Sequence, residues 1–339
     1  ERPVLPLETV EANAAAIRNQ LSHFLQFEGK HPAQLRNNAE WLRGLSLLEF
    51  LRDTGKHLTI NYMLQKEAVR TRMETGMSFA EFTYMLIQAY DFWHLATTAG
   101  CELQMGGSDQ WGNITAGIEL IGRREQKQVH GLSFPLLTNA SGTKFGKSEG
   151  GNIWLDPERT SPYRFYQFWL NTDDRDVERH LRLFTFMPLE EIAEVMATHS
   201  AHPERREAQR ILAADLTSRV HGADTAERVV AASQILFGGG DIRVADPAIF
   251  ELLATEVPTH PIPDSALTPG LGVVDALVAA GLASSKADAR RGLQSGGFSV
   301  NGERIADAQR QLTAADLLAG RYLLLQKGKK QYGLLVARR

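Results

Sequence analysis

Apolar positions recur at helical spacing through most of residues 7–100, and again from 161 to about 256. Between them the pattern changes. LQMGG (103–107) reads as a short buried strand, SDQWGNITAGIELIGRR (108–124) as a turn running into a helix, and GLSFPLLT (131–138) as a second strand. Strand and helix alternating in this way predict an α/β domain with a parallel sheet. Residues 257–270 hold four prolines in fourteen positions and read as a stiff linker. Beyond it, DALVAAG predicts a short helix stopped at Gly281. SSKADARRGL restarts a helix with Ser284 or Ser285 as its N-cap. FSVNGERI predicts a hairpin about Asn301-Gly302, and RYLLLQKGKKQYGLLVARR a second hairpin with a basic turn. The expected divisions are 1–160, 161–256, the linker 257–270, and 271–339.

The helix expected over 78–95 sorts into two faces. Phe79, Phe82, Leu86, Ala89 and Trp93 share one stripe, the predicted core side. Tyr84, Gln88 and Asp91 line the opposite side at i, i+4 and i+7. Such a strip is either a solvated outer face or a buried hydrogen-bonding surface. Met85, Ile87, Tyr90 and Phe92 make the helix apolar nearly all round, which favours burial, and a buried polar strip requires partners.

Two glycine-rich stretches carry candidate chemistry. GGSDQWGN (106–113) sits where an α/β sheet binds ligands, past the carboxyl end of a strand. Its glycines permit close approach, and Asp109 and Gln110 could hold a ribose or an amino-acid head group. An ordinary capped turn explains the same letters. GTKFGKSEGG (142–151) ends like a phosphate-binding loop, but the leading position is Ser141 where that motif needs glycine. Lys144 and Lys147 could still clamp a polyphosphate, or simply form a surface lysine loop.

Composition adds an asymmetry. The 339 residues carry a formal net charge of −3, yet residues 270–339 contain 11 Lys+Arg against 5 Asp+Glu. A basic tail on an acidic body suggests a polyanionic partner, with a solvated surface as the alternative. The single cysteine, Cys101, excludes an internal disulfide and favours a reducing compartment. No apolar run is long enough for a transmembrane helix, and no Cys/His cluster has zinc spacing.

Taken in order, YMLIQAYD, GGSDQWGN and KFGKS resemble the motifs of bacterial-type tyrosyl-tRNA synthetases. NNAEWL, FLRDTGKH, TSPYRFYQFW and the basic tail resemble the same family, so the likeness spans essentially the whole chain. It implies a Rossmann-like class I catalytic domain over 1–160, then an α-helical tRNA-binding domain over 161–256. A small α+β domain similar to the S4 RNA-binding fold follows over 271–339. The implied activity is tyrosine–tRNA ligation. Tyrosine and ATP give tyrosyl-adenylate and pyrophosphate, and the tyrosyl group then passes to tRNA(Tyr).

On the matching positions, Tyr84 and Gln88 would hold the tyrosine α-amino group, and Asp91 the phenolic hydroxyl. Asn38 would stand behind that pocket, and Gln110 near the tyrosine carboxylate. Gly107 and Asp109 would contact the adenosine ribose. Lys144, Gly146, Lys147 and Ser148 form the phosphate loop, with Lys144 and Lys147 as catalytic groups and Mg²⁺ carried on the ATP phosphates. Lys286, Arg290, Arg291, Arg304, Lys327, Lys329 and Lys330 would bind RNA. The resemblance further implies a cytoplasmic homodimer with no membrane association, its interface drawn from the apolar helices between Leu45 and Val69.

One departure stands out. The family's H-I-G-H motif does not occur in these residues. The 339 residues by themselves are therefore expected not to activate tyrosine. A non-catalytic, synthetase-derived RNA-binding protein is the alternative reading. A tryptophan-specific relative is disfavoured by Asp91 and by the tail.

Overall fold

The computed structural model describes residues 5–74, 76–140, 145, 147–148, 151–237, 241–328 and 331–338, with the side chains of Ala68, Lys147 and Ser148 left aside. The chain divides into two compact units, Glu1–Phe145 and Gly146–Arg339.

The first unit opens with helices α1 (Leu7–Leu21), α2 (Ala39–Leu42), α3 (Leu47–Asp53), α4 (Ile60–Leu64), α5 (Glu67–Met73) and α6 (Phe79–Thr98). Strand β1 (Leu103–Gly107), helix α7 (Trp111–Glu125) and strand β2 (His130–Phe134) follow. α6 starts at a capping box: the Ser78 hydroxyl accepts from the Glu81 N–H, and the Glu81 carboxylate accepts from the Ser78 N–H. Its buried residues are Met85, Leu86, Ala89, Phe92 and Ala96. The expected core stripe is therefore rotated. Leu86 and Ala89 are buried, but Phe79 is 78% exposed and Phe82 and Trp93 are only partly covered. The rotation follows from the partner helix. A Cβ on Gly117 of α7 would lie 2.8 Å from Phe92 Cδ1, so α7 seats itself against the Phe92 side of α6.

β1 and β2 pair in parallel, from Leu103 opposite His130 to Gly107 opposite Phe134. One face lies on α7, where a Cβ on Gly131 would come 2.7 Å from Ile114 Cγ2. The other face is open. Met105, Leu132 and Phe134 are each about half exposed, against the buried strand expected for 103–107. Among the described residues this sheet has two strands, and one helix covers one face of it.

The second unit begins with the short pair β3 (Lys147–Ser148) and β4 (Gly151–Asn152). Helices α8 (Pro162–Leu170), α9 (Asp174–Phe184), α10 (Leu189–Ala201), α11 (Glu207–His221), α12 (Ala223–Phe237) and α13 (Pro247–Glu256) follow. Ser161 caps α8 through the Arg164 N–H, and Tyr163, Phe165, Tyr166 and Trp169 of that helix are buried.

The remaining elements are β5 (Thr259–Pro263), β6 (Leu271–Gly272), α14 (Val273–Ala279), α15 (Lys286–Gln294), β7 (Phe298–Val300), β8 (Glu303–Arg304), β9 (Gln311–Leu312), β10 (Tyr322–Lys327) and β11 (Gln331–Arg338). Among the described residues the main sheet runs β5-β11-β10-β7-β8. Both expected hairpins form: β7–β8 around Asn301-Gly302, and β10–β11. Ser285, one of the two candidates, caps α15 by accepting from the Asp288 N–H.

The stretch read as a linker is ordered. Thr259–Pro263 pairs in parallel with β11, and Ile262 and Leu267 are buried in the C-terminal core. Prolines are tolerated there because, among the described residues, β5 is an edge strand with no second neighbour demanding its missing N–H groups. Phe250 of α13 also stacks on Tyr322 of β10, with ring centroids 5.4 Å apart.

Candidate functional site

Asp91 lies midway along α6, partly buried, and both of its oxygens accept hydrogen bonds. Asn38 Nδ2 donates to Oδ2 at 3.0 Å, and Trp41 Nε1 donates to Oδ1 at 2.7 Å. Asn38 and Trp41 flank the start of the four-residue helix α2, fifty or more positions earlier in the chain. A carboxylate offers about four lone-pair directions, so two donors leave room for a further hydroxyl. The indole of Trp41 lies flat on the ring of His94, with centroids 4.4 Å apart and planes 20° from parallel.

Tyr84 and Gln88 precede Asp91 on the same side of α6. Tyr84 is 53% exposed and Gln88 partly buried, so this side is open rather than enclosed as its apolar flanks suggested. The family resemblance placed Asn38 at this site but did not point to Trp41 or His94. The Trp in NNAEWL was the available signal, although no spacing rule connects it to Asp91.

The second cluster lies past the carboxyl end of β1, where a single 3-10 turn (Ser108–Gln110) leads into α7. Gly107 leaves the turn room for the Asp109 side chain. A Cβ on it would lie 2.6 Å from Asp109 Oδ1 and 3.2 Å from Leu136 Cδ2. Gln110 Nε2 donates to Asp109 Oδ2 at 3.4 Å, and Asn113 Nδ2 donates to Gln110 Oε1 at 3.2 Å. Asp109 is exposed and Gln110 partly buried, so the turn presents a carboxylate and a carboxamide beside glycine backbone. This is the position where open α/β sheets bind nucleotides and small polar ligands.

Of the phosphate loop, Lys144 and Gly146 lie outside the described residues. Lys147 and Ser148 are described as the backbone of β3.

On the C-terminal surface, Arg290, Arg291 and Arg304 are exposed. Lys286 pairs with Asp275 at 2.6 Å. Lys327 stands 3.8 Å from Asp288 and 5.6 Å from the centre of the Phe298 ring. The Ser284 backbone N–H on its carboxylate holds Asp288 below the usual Asp range; partial desolvation opposes this, and Lys327 adds to it. Lys329 and Lys330 lie outside the described residues. Among the described residues no cluster of His, Cys, Asp and Glu is arranged to hold a metal ion, and no helix is long and apolar enough to cross a membrane.

The parallel strand, the glycine turn carrying Asp109 and Gln110 and the following helix form a strand–turn–helix unit of the α/β type, and comparison with known families gives its class, the class I aminoacyl-tRNA synthetases. A family model described as tRNA synthetases class I (W and Y) matches residues 1–238. A second, described as the tyrosine–tRNA ligase SYY-like C-terminal domain, matches residues 250–335. The chain belongs to the tyrosyl-tRNA synthetase family.

Similar proteins include tyrosine–tRNA ligases of Anaeromyxobacter dehalogenans strain 2CP-1 (59% identical over 338 residues) and Roseiflexus castenholzii (52% over 339). The matches cover 100% and 99% of this chain and 80% of each relative. Among solved structures, a C-terminally truncated mitochondrial tyrosyl-tRNA synthetase of Aspergillus nidulans matches with a TM-score of 0.58 and 35% identity. That match covers 70% of this chain and 71% of the other.

Proposed function

We propose that the chain carries the tyrosine-recognition, nucleotide-binding and tRNA-binding parts of a tyrosine–tRNA ligase. The observation that carries the proposal is the Asp91 carboxylate, held by Asn38 and Trp41 on the helix that also bears Tyr84 and Gln88. A fixed carboxylate with an unused lone pair suits a phenolic hydroxyl. Phenylalanine would cover it and leave it unpaired, which penalises the wrong substrate. Tyr84 and Gln88 receive the α-amino group, Gln110 the tyrosine carboxylate, and Gly107 and Asp109 the ribose of ATP.

In the first step the tyrosine carboxylate oxygen attacks the α-phosphorus. The new C(O)–O–P bond forms as the bond to the β-phosphate oxygen breaks and pyrophosphate leaves. Lys144 and Lys147 stabilise the leaving charge, and Mg²⁺ enters as part of the nucleotide substrate on its phosphates. In the second step a hydroxyl of the terminal adenosine of tRNA attacks the tyrosyl carbonyl and AMP leaves.

The same reading assigns 1–160 to the catalytic domain, 161–256 to the helical tRNA-binding domain and the C-terminal region to S4-like RNA binding, in a cytoplasmic homodimer. Leu47, Leu48, Ile60 and Phe79, each at least 65% exposed, supply apolar surface for the dimer contact. The non-catalytic RNA-binding alternative is not favoured, since relatives 46–59% identical along the whole chain are named tyrosine–tRNA ligases.

The test is tyrosine-dependent ATP–pyrophosphate exchange by the full-length enzyme. Exchange is expected with tyrosine and not with phenylalanine. Lys147→Ala is expected to lower kcat by about 10²-fold, the usual effect of losing one charge-stabilising donor, with tyrosine KM little changed. Equal exchange with both amino acids would sink the assignment of Asp91.

A further inference from the structure

We infer that His94 is a positioning residue for substrate recognition: its ring is the platform that aims the Trp41 N–H at Asp91. The inference rests on the reading of Asp91 as the acceptor of the tyrosine hydroxyl.

Trp41 sits on a helix of only four residues, none of which is buried. So short a helix does not fix its own side chains. Yet its indole N–H reaches Asp91 Oδ1 at 2.7 Å, a charge-assisted bond that needs the ring in one orientation. The face of that ring is set by His94, stacked at 4.4 Å and 20°. His94 stands three residues after Asp91 on α6, so the two project from neighbouring points of one rigid helix. α6 thereby supplies both the acceptor and the surface that orients its donor. Loss of the ring frees the indole to turn, and the Asp91 carboxylate then turns with Asn38 as its remaining donor. Recognition of the hydroxyl weakens while the chemistry at the phosphate is left intact.

The experiment compares the full-length enzyme with His94→Ala, His94→Phe and Asp91→Asn in steady-state ATP–pyrophosphate exchange, varying tyrosine and ATP separately. A stacking contact of this kind corresponds to about a two- to tenfold effect. His94→Ala is expected to raise tyrosine KM by that factor and to narrow the preference over phenylalanine. Its kcat and ATP KM should stay near the parent values. His94→Phe restores a flat ring and should recover most of the tyrosine KM.

A His94→Ala enzyme with unchanged tyrosine KM overturns the inference. So does one that loses kcat, tyrosine KM and ATP KM together without rescue by His94→Phe, since that pattern is general damage to the fold. Asp91→Asn separates the two readings. If it leaves tyrosine KM and selectivity unaltered, the assignment of Asp91 is what fails. If it abolishes selectivity while His94→Ala does nothing, only the role of His94 fails.

Discussion

Trp41 and Asp91 are fifty residues apart in sequence and joined by a 2.7 Å hydrogen bond from indole nitrogen to carboxylate oxygen. A hydrogen bond to a charged group contributes roughly 1.5–3 kcal/mol, about 10- to 100-fold in a rate or binding constant. Trp41→Phe keeps an aromatic ring on His94 and removes the donor. It should lower kcat/KM for tyrosine by a factor in that range, with ATP KM unchanged. Exchange kinetics at saturating ATP give the answer, and an unaltered kcat/KM would mean that the bond does not serve recognition.

The basic C-terminal surface makes a graded prediction. Lys286 and Lys327 have acidic neighbours within 4 Å, while Arg290, Arg291 and Arg304 stand exposed. Each phosphate contact contributes roughly 0.7–0.9 to the slope of log affinity against log salt. Arg290→Ala and Arg291→Ala should each reduce that slope by nearly one unit in tRNA titrations between 50 and 200 mM salt (roughly the range in which such slopes are read). Lys286→Ala should change it less, because RNA must compete with Asp275. Equal effects of all three would refute the ranking.

Gly292 of α15 packs directly under Phe298 of β7, where a Cβ would overlap the aromatic ring. Phe298 is 1% exposed and cannot swing outward. Overfilling a packed core costs about 1–3 kcal/mol. Gly292→Ala should destabilise the C-terminal region by that amount despite alanine's better helix propensity. Urea unfolding followed by circular dichroism measures it, and a more stable variant would contradict the packing.

His180 predicts a pH dependence. It is 2% exposed and packs edge-on against the rings of both Trp169 and Phe184. Burial pushes its pKa below the ordinary histidine value, against the opposing pull of Asp176; Arg179 lowers it further. The folded state therefore holds His180 neutral, while the unfolded chain takes up a proton near pH 6.5. The contribution of His180 to stability is then fully present above about pH 6.5 and falls as the pH drops below it, toward the lowered folded value. His180→Gln should flatten the change in urea midpoint between about pH 7.5 and 5.5. If the variant keeps the parental slope, other groups are responsible.

Much of the fold is legible in local sequence because its causes are local. Ser78 with Glu81, Ser161 with Pro162, and Ser285 with Asp288 start helices through groups three residues away or nearer. Asn301-Gly302 sets a hairpin because both residues adopt positive φ at little cost. The candidate site was legible where motif order carried it: Tyr84, Gln88 and Asp91 on one helix, and Gly107, Asp109 and Gln110 at the end of one strand.

Tertiary structure alone decided the rest. Periodicity gives a helix a buried side but not its angle, and Gly117 against Phe92 turned α6 away from the stripe that included Phe79. Four prolines describe a stiff segment, but only the register of Thr259–Pro263 on β11 makes it the edge of a sheet. The hydrogen bonds of Asn38 and Trp41 to Asp91, and the His94 ring beneath the indole, join segments fifty or more residues apart in the chain. No spacing rule encodes such contacts. They exist because burial of α6 against α7 fixes where its polar side faces, and the earlier segment settles on what that side offers.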